Sequence, residues 1–167
     1  MIIRAETEDD FAAVQSINLS AFPEDGESRL VNNLRENAQP IISLVAEVDG
    51  KLVGHILFSP VTLDSKSSLQ LMGLAPMAVL PAYQRQGIGS ALIEAGLEKC
   101  RLAQYGAVVV LGHPDYYPKF GFTASSNFAI KSEYDVPTDV FMIIELEKGY
   151  LEDCSGTISY HEEFKNL

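Results

Sequence analysis

Basic residues, cysteines and long apolar runs are all scarce in this sequence. Its 167 residues include 12 lysines and arginines against 23 aspartates and glutamates, which gives a formal net charge of -11. Proteins that bind nucleic acids need a basic surface to displace counterions from the phosphates, and anionic membranes attract basic segments. The charge therefore argues against a nucleic-acid partner and against an anionic membrane surface.

The two cysteines, Cys100 and Cys154, lie far apart, and neither has a metal-like partner at close spacing. Free thiols in a reducing cytoplasm, with no metal site, are the simplest interpretation. No apolar run approaches the roughly 20 residues of a membrane-spanning helix, and the N-terminal sequence MIIRAETEDDF is too polar for a signal peptide. We predict a cytoplasmic protein.

The chain is nevertheless long and apolar enough for one domain with a buried core, since hydrophobic residues make up 47% of it. Asp49 and Gly50 separate two apolar runs, 41–48 and 51–63, and this pattern predicts a β-hairpin with a two-residue turn. Other patterns predict further elements. Strands are predicted at 2–4, 69–80, 107–111 and 140–146, and helices after Thr7, at 27–37 and from about 88 to 104.

The order of these elements, β-α-α-β-β-β-α-β-α-β-β, predicts a mixed α/β domain over residues 1–148. The tail, residues 149–167, is polar and mixed and predicts no element, and we expect it to pack on the domain or to trail it. Pro76 removes a donor from its strand, so the strand at 69–80 should bulge or leave its neighbour there. Gly106 should end the preceding helix as its C′ residue.

The segment LPAYQRQGIGSALIEAG places Gly87 and Gly89 at the start of a helix, directly after a strand. A helix N-terminus has free N–H groups and about half a positive charge, so it can bind an anion where no side chain blocks the approach. The backbone amides from Gln86 to Ser90 would supply the donors. The alternative is that the two glycines only let helix and strand pack closely. Neither the P-loop pattern nor a complete dinucleotide-binding fingerprint is present.

Two stretches resemble the signatures of one family. MAVLPAYQRQGIGSALI resembles the acetyl-CoA signature of the GCN5-related N-acetyltransferases, with Gln84, Gly87 and Gly89 at its fixed positions. YYPKFGF resembles the second signature, a tyrosine followed four residues later by Gly-Phe. The resemblance implies a mixed, mostly antiparallel sheet flanked by helices, in which a central pair of parallel strands splays apart. The tail sequence SGTISY is similar to the YhbS-type predicted acetyltransferases of bacteria.

The resemblance implies an N-acetyltransferase that moves an acetyl group from acetyl-CoA to a primary amine of a small molecule or peptide, by direct attack in a ternary complex. Acetyl-CoA would lie in the gap between the splayed strands, and no metal is implied. The backbone of Met77, Ala78 and Val79 would bind its pantetheine arm and polarise the thioester carbonyl. Six residues would hold the pyrophosphate: Arg85, Gln86, Gly87, Ile88, Gly89 and Ser90.

Tyr117 matches the family's general acid, because it stands four residues before Gly121. A phenol, with a pKa of about 10, is protonated at neutral pH and can give a proton to the leaving thiolate. The alternative is that Tyr117 is a core residue. No base is identified, since the strand at 107–111 has no acid. The candidates are His113, His55, Asp115 and a water relay to Glu47.

The acceptor should be selected by the first two helices and by the loop at 123–139, both of which are acidic. Their acids are Glu24, Asp25, Glu27, Glu133, Asp135 and Asp139. This charge predicts a cationic amine acceptor, whereas the alternative is that it only keeps a small protein soluble. Two other functions stay open, a non-catalytic acyl-CoA-binding regulatory module and an enzyme with a longer acyl donor. A homodimer is also compatible with the sequence.

Overall fold

Three α-helices and nine β-strands make up the chain in a computed structural model, which describes residues 1–167. The helices are α1 Phe11–Ala21, α2 Gly26–Asn37 and α3 Ile88–Leu102. The strands are β1 Ile2–Ala5, β2 Ile42–Val48, β3 Lys51–Leu63, β4 Leu71–Val79, β5 Ala107–Leu111, β6 Thr123–Ala124, β7 Ile130–Ser132, β8 Phe141–Glu145 and β9 Gly156–Ser159. The predicted mixed α/β class is confirmed.

The sheet follows the order β1-β2-β3-β4-β5-β8-β6, and β9 joins it through β3 and pairs in turn with β7. Along the main path every pair is antiparallel except β4 and β5, which are parallel. The expected mostly antiparallel sheet with a central parallel pair is therefore confirmed. β5 lies between β4 and β8, as its unbroken apolar sequence predicts.

The β2–β3 hairpin forms at the predicted turn. Asp49 and Gly50 have φ angles of 50° and 79°. Positive φ at both central residues gives the twist that matches paired strands, and an Asp-Gly pair favours it. The 13 residues of β3 then reach across the sheet, so this strand pairs with β2 and β4 and, at its far end, with β9.

Helices cover both faces of the sheet, and each face has its own apolar cluster. On one face, α1 and α2 bury Val14 and Leu34 in a cluster with Leu57 of β3. On the other face, α3 buries Leu92 in a cluster with Phe58. Leu57 and Phe58 are neighbours in β3, so the alternation of a strand sends their side chains to opposite faces. No helix is both long enough and apolar enough to span a bilayer.

Gly106 does not end α3, contrary to the prediction. Gln104 takes the left-handed position after the helix, with a φ of 69°. The next residue, Tyr105, donates its N–H to the Cys100 carbonyl at 3.0 Å, as in a Schellman motif. Gly106 serves packing instead, because a Cβ there would overlap the Tyr150 ring.

The tail is structured, whereas its sequence predicts no element. Strand β9 pairs with β3 and β7, and a 3-10 helix follows at Glu162–Asn166. Ile158 and Phe164 are buried in the cluster under α1 and α2. The apolar residues of the tail are too few to give a period, so only long-range pairing identifies β9.

The helix predicted after β5 is a 3-10 helix of four residues, Tyr117–Phe120. Gly121 ends it with a φ of 105°, in the left-handed region that favours glycine. The short helix keeps Tyr116 and Tyr117 close to the end of β5.

Candidate active site

A gap opens in the middle of the sheet between the two parallel strands. β4 and β5 pair only where Leu71–Gly73 faces Ala107–Val109. Beyond Gly73 they separate, and the register of β4 against β3 shifts across the Ala75–Pro76 step. The prediction that this strand bulges or leaves its neighbour near Pro76 is confirmed, because it does both.

The gap-facing edge of β4 keeps free backbone donors. Leu80 donates its N–H to the Val53 carbonyl of β3 at 2.8 Å. Since alternate residues of a strand direct their polar groups to opposite sides, the N–H groups of Met77 and Val79 point away from β3 and into the gap. Ala78 between them is buried and in register with His55 of β3. The donors facing the gap therefore come from Met77 and Val79.

The glycine turn lies directly after β4 and presents its own unpaired donors. Gly87 is the N-cap of α3 with a φ of 83°, and the first intrahelical bond runs from the Ala91 N–H to the Gly87 carbonyl at 3.0 Å. The N–H groups from Arg85 to Ser90 have no partner in the chain. A Cβ on Gly87 would meet nothing within 4 Å. Open space, free N–H groups and a helix N-terminus together form a site suited to an anion.

The side chains of the turn hold its shape and leave its outer surface free. Ile88 is buried and anchors the start of α3. Gln84 donates its amide to the Val79 carbonyl at 3.1 Å, and Gln86 donates to the Ala82 carbonyl at 3.3 Å. Arg85 is exposed and forms none of the ion pairs of the chain, so its charge is available to a ligand.

Tyr116 contacts the turn, which sequence reasoning did not predict. Its hydroxyl lies 3.0 Å from the Ser90 Oγ, and Lys119 Nζ lies 4.2 Å from the centroid of its ring. Gly89 is packed between Tyr116 and Met77, since a Cβ on it would lie 3.5 Å from atoms of each. The only sequence signal for Tyr116 is its position next to Tyr117.

Tyr117 is buried at the end of β5, with 8% of its surface exposed. Its ring meets Tyr116 and Phe122 edge to face, with centroids 5.2 Å and 5.6 Å away. Burial, and then the neighbouring Tyr116, raises the pKa of Tyr117 to about 12. The hydroxyl makes no hydrogen bond within the chain and is not sealed from solvent. Tyr117 therefore carries a protonated phenol at neutral pH.

Two of the four base candidates are engaged with other side chains. His55 is fully buried, with Nδ1 3.3 Å from Asn18 Nδ2 and Nε2 2.9 Å from Ser43 Oγ, and burial lowers its pKa to about 4. Glu47 lies on β2, where its carboxylate is 3.5 Å from the Arg4 guanidinium.

His113 and Asp115, the other two candidates, are exposed and follow β5 directly. They are therefore the two candidates with exposed side chains, on the segment that leads from β5 to Tyr117.

The cysteines form no disulfide and belong to no metal-binding cluster. Cys100 and Cys154 are both free, as predicted, and burial raises the pKa of Cys100 to about 12. No group of three or more His, Cys, Asp or Glu side chains could hold a metal ion. Of the predicted acidic segments, Asp25 pairs with Arg29 at 3.4 Å, and Glu133 Oε2 accepts the Tyr160 N–H at 2.6 Å.

Comparison with known sequences identifies relatives along the whole chain. The model of the Acetyltransferase (GNAT) family matches residues 11–122. The chain is similar to the uncharacterised N-acetyltransferase YhbS of Escherichia coli, with 33% identity over 168 residues and complete coverage of both chains. It is also similar to the uncharacterised N-acetyltransferase YjhQ of the same species, with 39% identity over 134 residues, 78% of this chain and 74% of that protein.

Two solved structures of similar proteins contain a coenzyme. The structure of YhbS from Escherichia coli in complex with CoA matches with a TM-score of 0.92 and 32% identity, over 98% of this chain and 91% of that one. A GNAT family acetyltransferase from Brucella melitensis in complex with acetyl-CoA matches with a TM-score of 0.80 and 34% identity, over 98% and 97% of the two chains.

Proposed function

Because the chain belongs to the GNAT acetyltransferase family, we propose that it is an N-acetyltransferase that transfers an acetyl group from acetyl-CoA to a primary amine by direct attack in a ternary complex. The observation that carries this proposal is the row of unpaired N–H groups from Arg85 to Ser90, beside the gap between β4 and β5. Related structures with CoA and acetyl-CoA support the choice of coenzyme.

The residues at the gap fit acetyl-CoA, which supplies an activated acetyl group as a thioester when it is bound. The N–H groups of Met77 and Val79 can bind the pantetheine arm as a neighbouring strand would. The N–H groups from Arg85 to Ser90 and the space beside Gly87 suit a pyrophosphate, and the exposed Arg85 guanidinium can add charge-assisted hydrogen bonds.

Tyr117 is proposed as the general acid. Its pKa is raised to about 12, so the phenol holds a proton at neutral pH, and its hydroxyl has no competing partner in the chain. Tyr116 has a different role in this proposal, since its hydroxyl is engaged with Ser90 at 3.0 Å. It positions the turn rather than moving a proton.

Direct attack is favoured because neither thiol suits a covalent acetyl-enzyme. Cys100 is buried on α3 with its pKa raised to about 12, so the thiolate that a nucleophile needs is scarce at neutral pH. Cys154 belongs to the tail and packs against the apolar cluster under α1 and α2, whereas Ile88 of the turn belongs to the cluster on the other face. We also infer that the tail is part of the same domain as residues 1–148, which is supported by the pairing of β9 with β3.

The test is calorimetry with acetyl-CoA, followed by an assay of thiol release from acetyl-CoA with a panel of primary amines. We expect saturable binding and amine-dependent release. Absence of binding heat together with absence of thiol release would contradict the proposal. Binding without turnover of any amine would favour the non-catalytic acyl-CoA-binding module.

A further inference from the structure

A cavity of about 370 Å³ lies on the face of the sheet that carries α1, α2 and the tail. We call it the aromatic cavity. All eight of its lining residues are hydrophobic. They are Leu74, Ala75, Leu111, Tyr134, Val136, Tyr160, Phe164 and Leu167. Its volume is within the range of about 300–1,000 Å³ that is common for small-molecule sites.

The aromatic cavity opens at the point where the parallel strands part. In the paired part of β4 and β5, Gly73 faces Val109. Continued for two residues, the same register would set Ala75 opposite Leu111. Both residues line the cavity instead, so the space that the lost pairing leaves is continuous with the gap in the sheet. Ala75 directly precedes Pro76 and the donors of β4, which places the cavity beside the proposed site of acetyl transfer.

Aromatic rings from the end of the chain form the wall. The centroid of the Tyr160 ring is 5.8 Å from that of Tyr134 and 5.0 Å from that of Phe164. A Cβ on Gly73 would lie 2.9 Å from the Tyr160 ring. The ring therefore packs directly against the backbone of β4, where a larger residue than glycine would clash with it. No lining side chain is charged. The interior therefore favours an apolar group and penalises a polar one that cannot be hydrogen-bonded.

Two carboxylates lie beside this wall. Glu133 and Asp135 alternate with Tyr134 and Val136 along one segment and are exposed, so the acids face solvent while their neighbours line the cavity. Glu133 is held in place by the Tyr160 N–H at 2.6 Å. Negative charge beside the wall favours the approach of a cation, and the wall itself suits an apolar body.

We propose that the aromatic cavity binds the body of the acceptor, which is therefore a primary amine with an aromatic or branched alkyl group. This inference rests on the proposed function. The amine approaches as a cation past the carboxylates and loses one proton. Its nitrogen then bonds to the acetyl carbonyl carbon, the carbon–sulfur bond breaks, and the second amine proton leaves as the coenzyme thiolate takes one up. The products are the amide and the free thiol of CoA.

The first experiment compares kcat/KM for 2-phenylethylamine, isoamylamine and ethanolamine at saturating acetyl-CoA. A preference of about tenfold or more for the two apolar amines is expected, since even one buried methylene gives about 10-fold discrimination. Equal or better use of ethanolamine overturns the proposal. So does a preference for octanoyl-CoA over acetyl-CoA with no gain from an apolar amine, because the cavity then holds the acyl chain.

The second experiment fills the cavity. V136F should lower the ratio of kcat/KM for 2-phenylethylamine to that for ethanolamine about tenfold. T138F is the matched control, because Thr138 is exposed on the same segment and does not line the cavity, and the ratio should not change. L167A opens the wall at a residue that is 62% exposed, so it should fold normally and lower the ratio in the same direction. An unchanged ratio in both cavity variants overturns the proposal.

Calorimetry with acetyl-CoA, on the unmodified protein and on each variant, distinguishes failure of the cavity assignment from failure of the proposed function. If acetyl-CoA binds and polar amines are acetylated without preference, only the cavity assignment fails. If acetyl-CoA does not bind to the unmodified protein, the proposed function itself fails.

Discussion

The hydroxyl groups of Ser90 and Tyr116 lie 3.0 Å apart and join the first turn of α3 to the segment that follows β5. These residues belong to the two stretches that resemble the family signatures. The contact means that the turn proposed to hold the pyrophosphate is braced by the segment that carries Tyr117. A substitution in either segment should therefore alter the position or the stability of the other.

The Ser90–Tyr116 bond should contribute to stability. S90A and Y116F should each lower the free energy of unfolding by about 1 kcal/mol, because each removes one partner of a partly buried hydrogen bond. The double variant should cost less than the sum, with a coupling of about 1 kcal/mol in urea denaturation. Y83F is the control, since the Tyr83 hydroxyl has no such partner. Strictly additive losses would show that the two hydroxyls do not interact.

Y117F should separate catalysis from coenzyme binding. Loss of the proposed acid should lower kcat by about 100-fold or more, which is the scale of general acid catalysis. The affinity for CoA by calorimetry should stay within a factor of about two, because the backbone donors are untouched. Y116F serves as the paired variant and should reduce kcat much less. A Y117F protein with normal turnover would assign Tyr117 to the core alone.

G87A and G50A form a matched pair. Both glycines have positive φ, 83° and 79°, and a Cβ on either would meet nothing within 4 Å. Each variant should lose about 1–2 kcal/mol of stability, because an L-residue is strained in the left-handed region. Only G87A should also raise the Kd for CoA, by about tenfold, since its methyl enters the space proposed for the pyrophosphate. Equal CoA affinities for the two variants would argue against an anion site at this turn.

The fold could be predicted from the sequence wherever local chemistry decides the structure. Asp49 and Gly50 favour one turn, and Pro76 removes a donor from one strand, so both predictions are confirmed. The end of α3 differs from its prediction. Gln104 takes the left-handed backbone conformation after the helix, and Gly106 is glycine because the Tyr150 ring packs against it. That role depends on a residue 44 positions away in sequence, which no local pattern contains.

Unfolding should depend on pH through His55. Burial, opposed by Glu6 and reinforced by Arg35, lowers the folded pKa of His55 from 6.5 to about 4. The unfolded chain binds the proton more readily, so stability is full above pH 6.5 and falls as pH drops toward 4, by about 3 kcal/mol. Asp10, whose pKa the Arg4 hydrogen bond lowers from 3.8 to about 2, acts only below that window.

The measurement is the urea midpoint between pH 4 and pH 7. H55Q should flatten the slope, and H113Q, which changes an exposed histidine, should leave it as it is. A slope that survives H55Q would place the titrating group elsewhere.

Part of the candidate site could be predicted from the sequence. The glycine turn has a local pattern, because the donors proposed to bind the coenzyme are consecutive backbone amides. The aromatic cavity has none, since Ala75, Leu111 and Tyr160 come together only through the sheet and the β3–β9 pairing. The sequence also does not predict that Tyr116 bonds to Ser90 while Tyr117 is buried, because the two are identical residues in adjacent positions.

Five of the eight residues around the aromatic cavity come from positions 134 to 167, whereas the proposed coenzyme site is drawn from residues 77 to 90. Substitutions between positions 134 and 167 should therefore alter the preference for the amine while the proposed coenzyme site keeps its sequence.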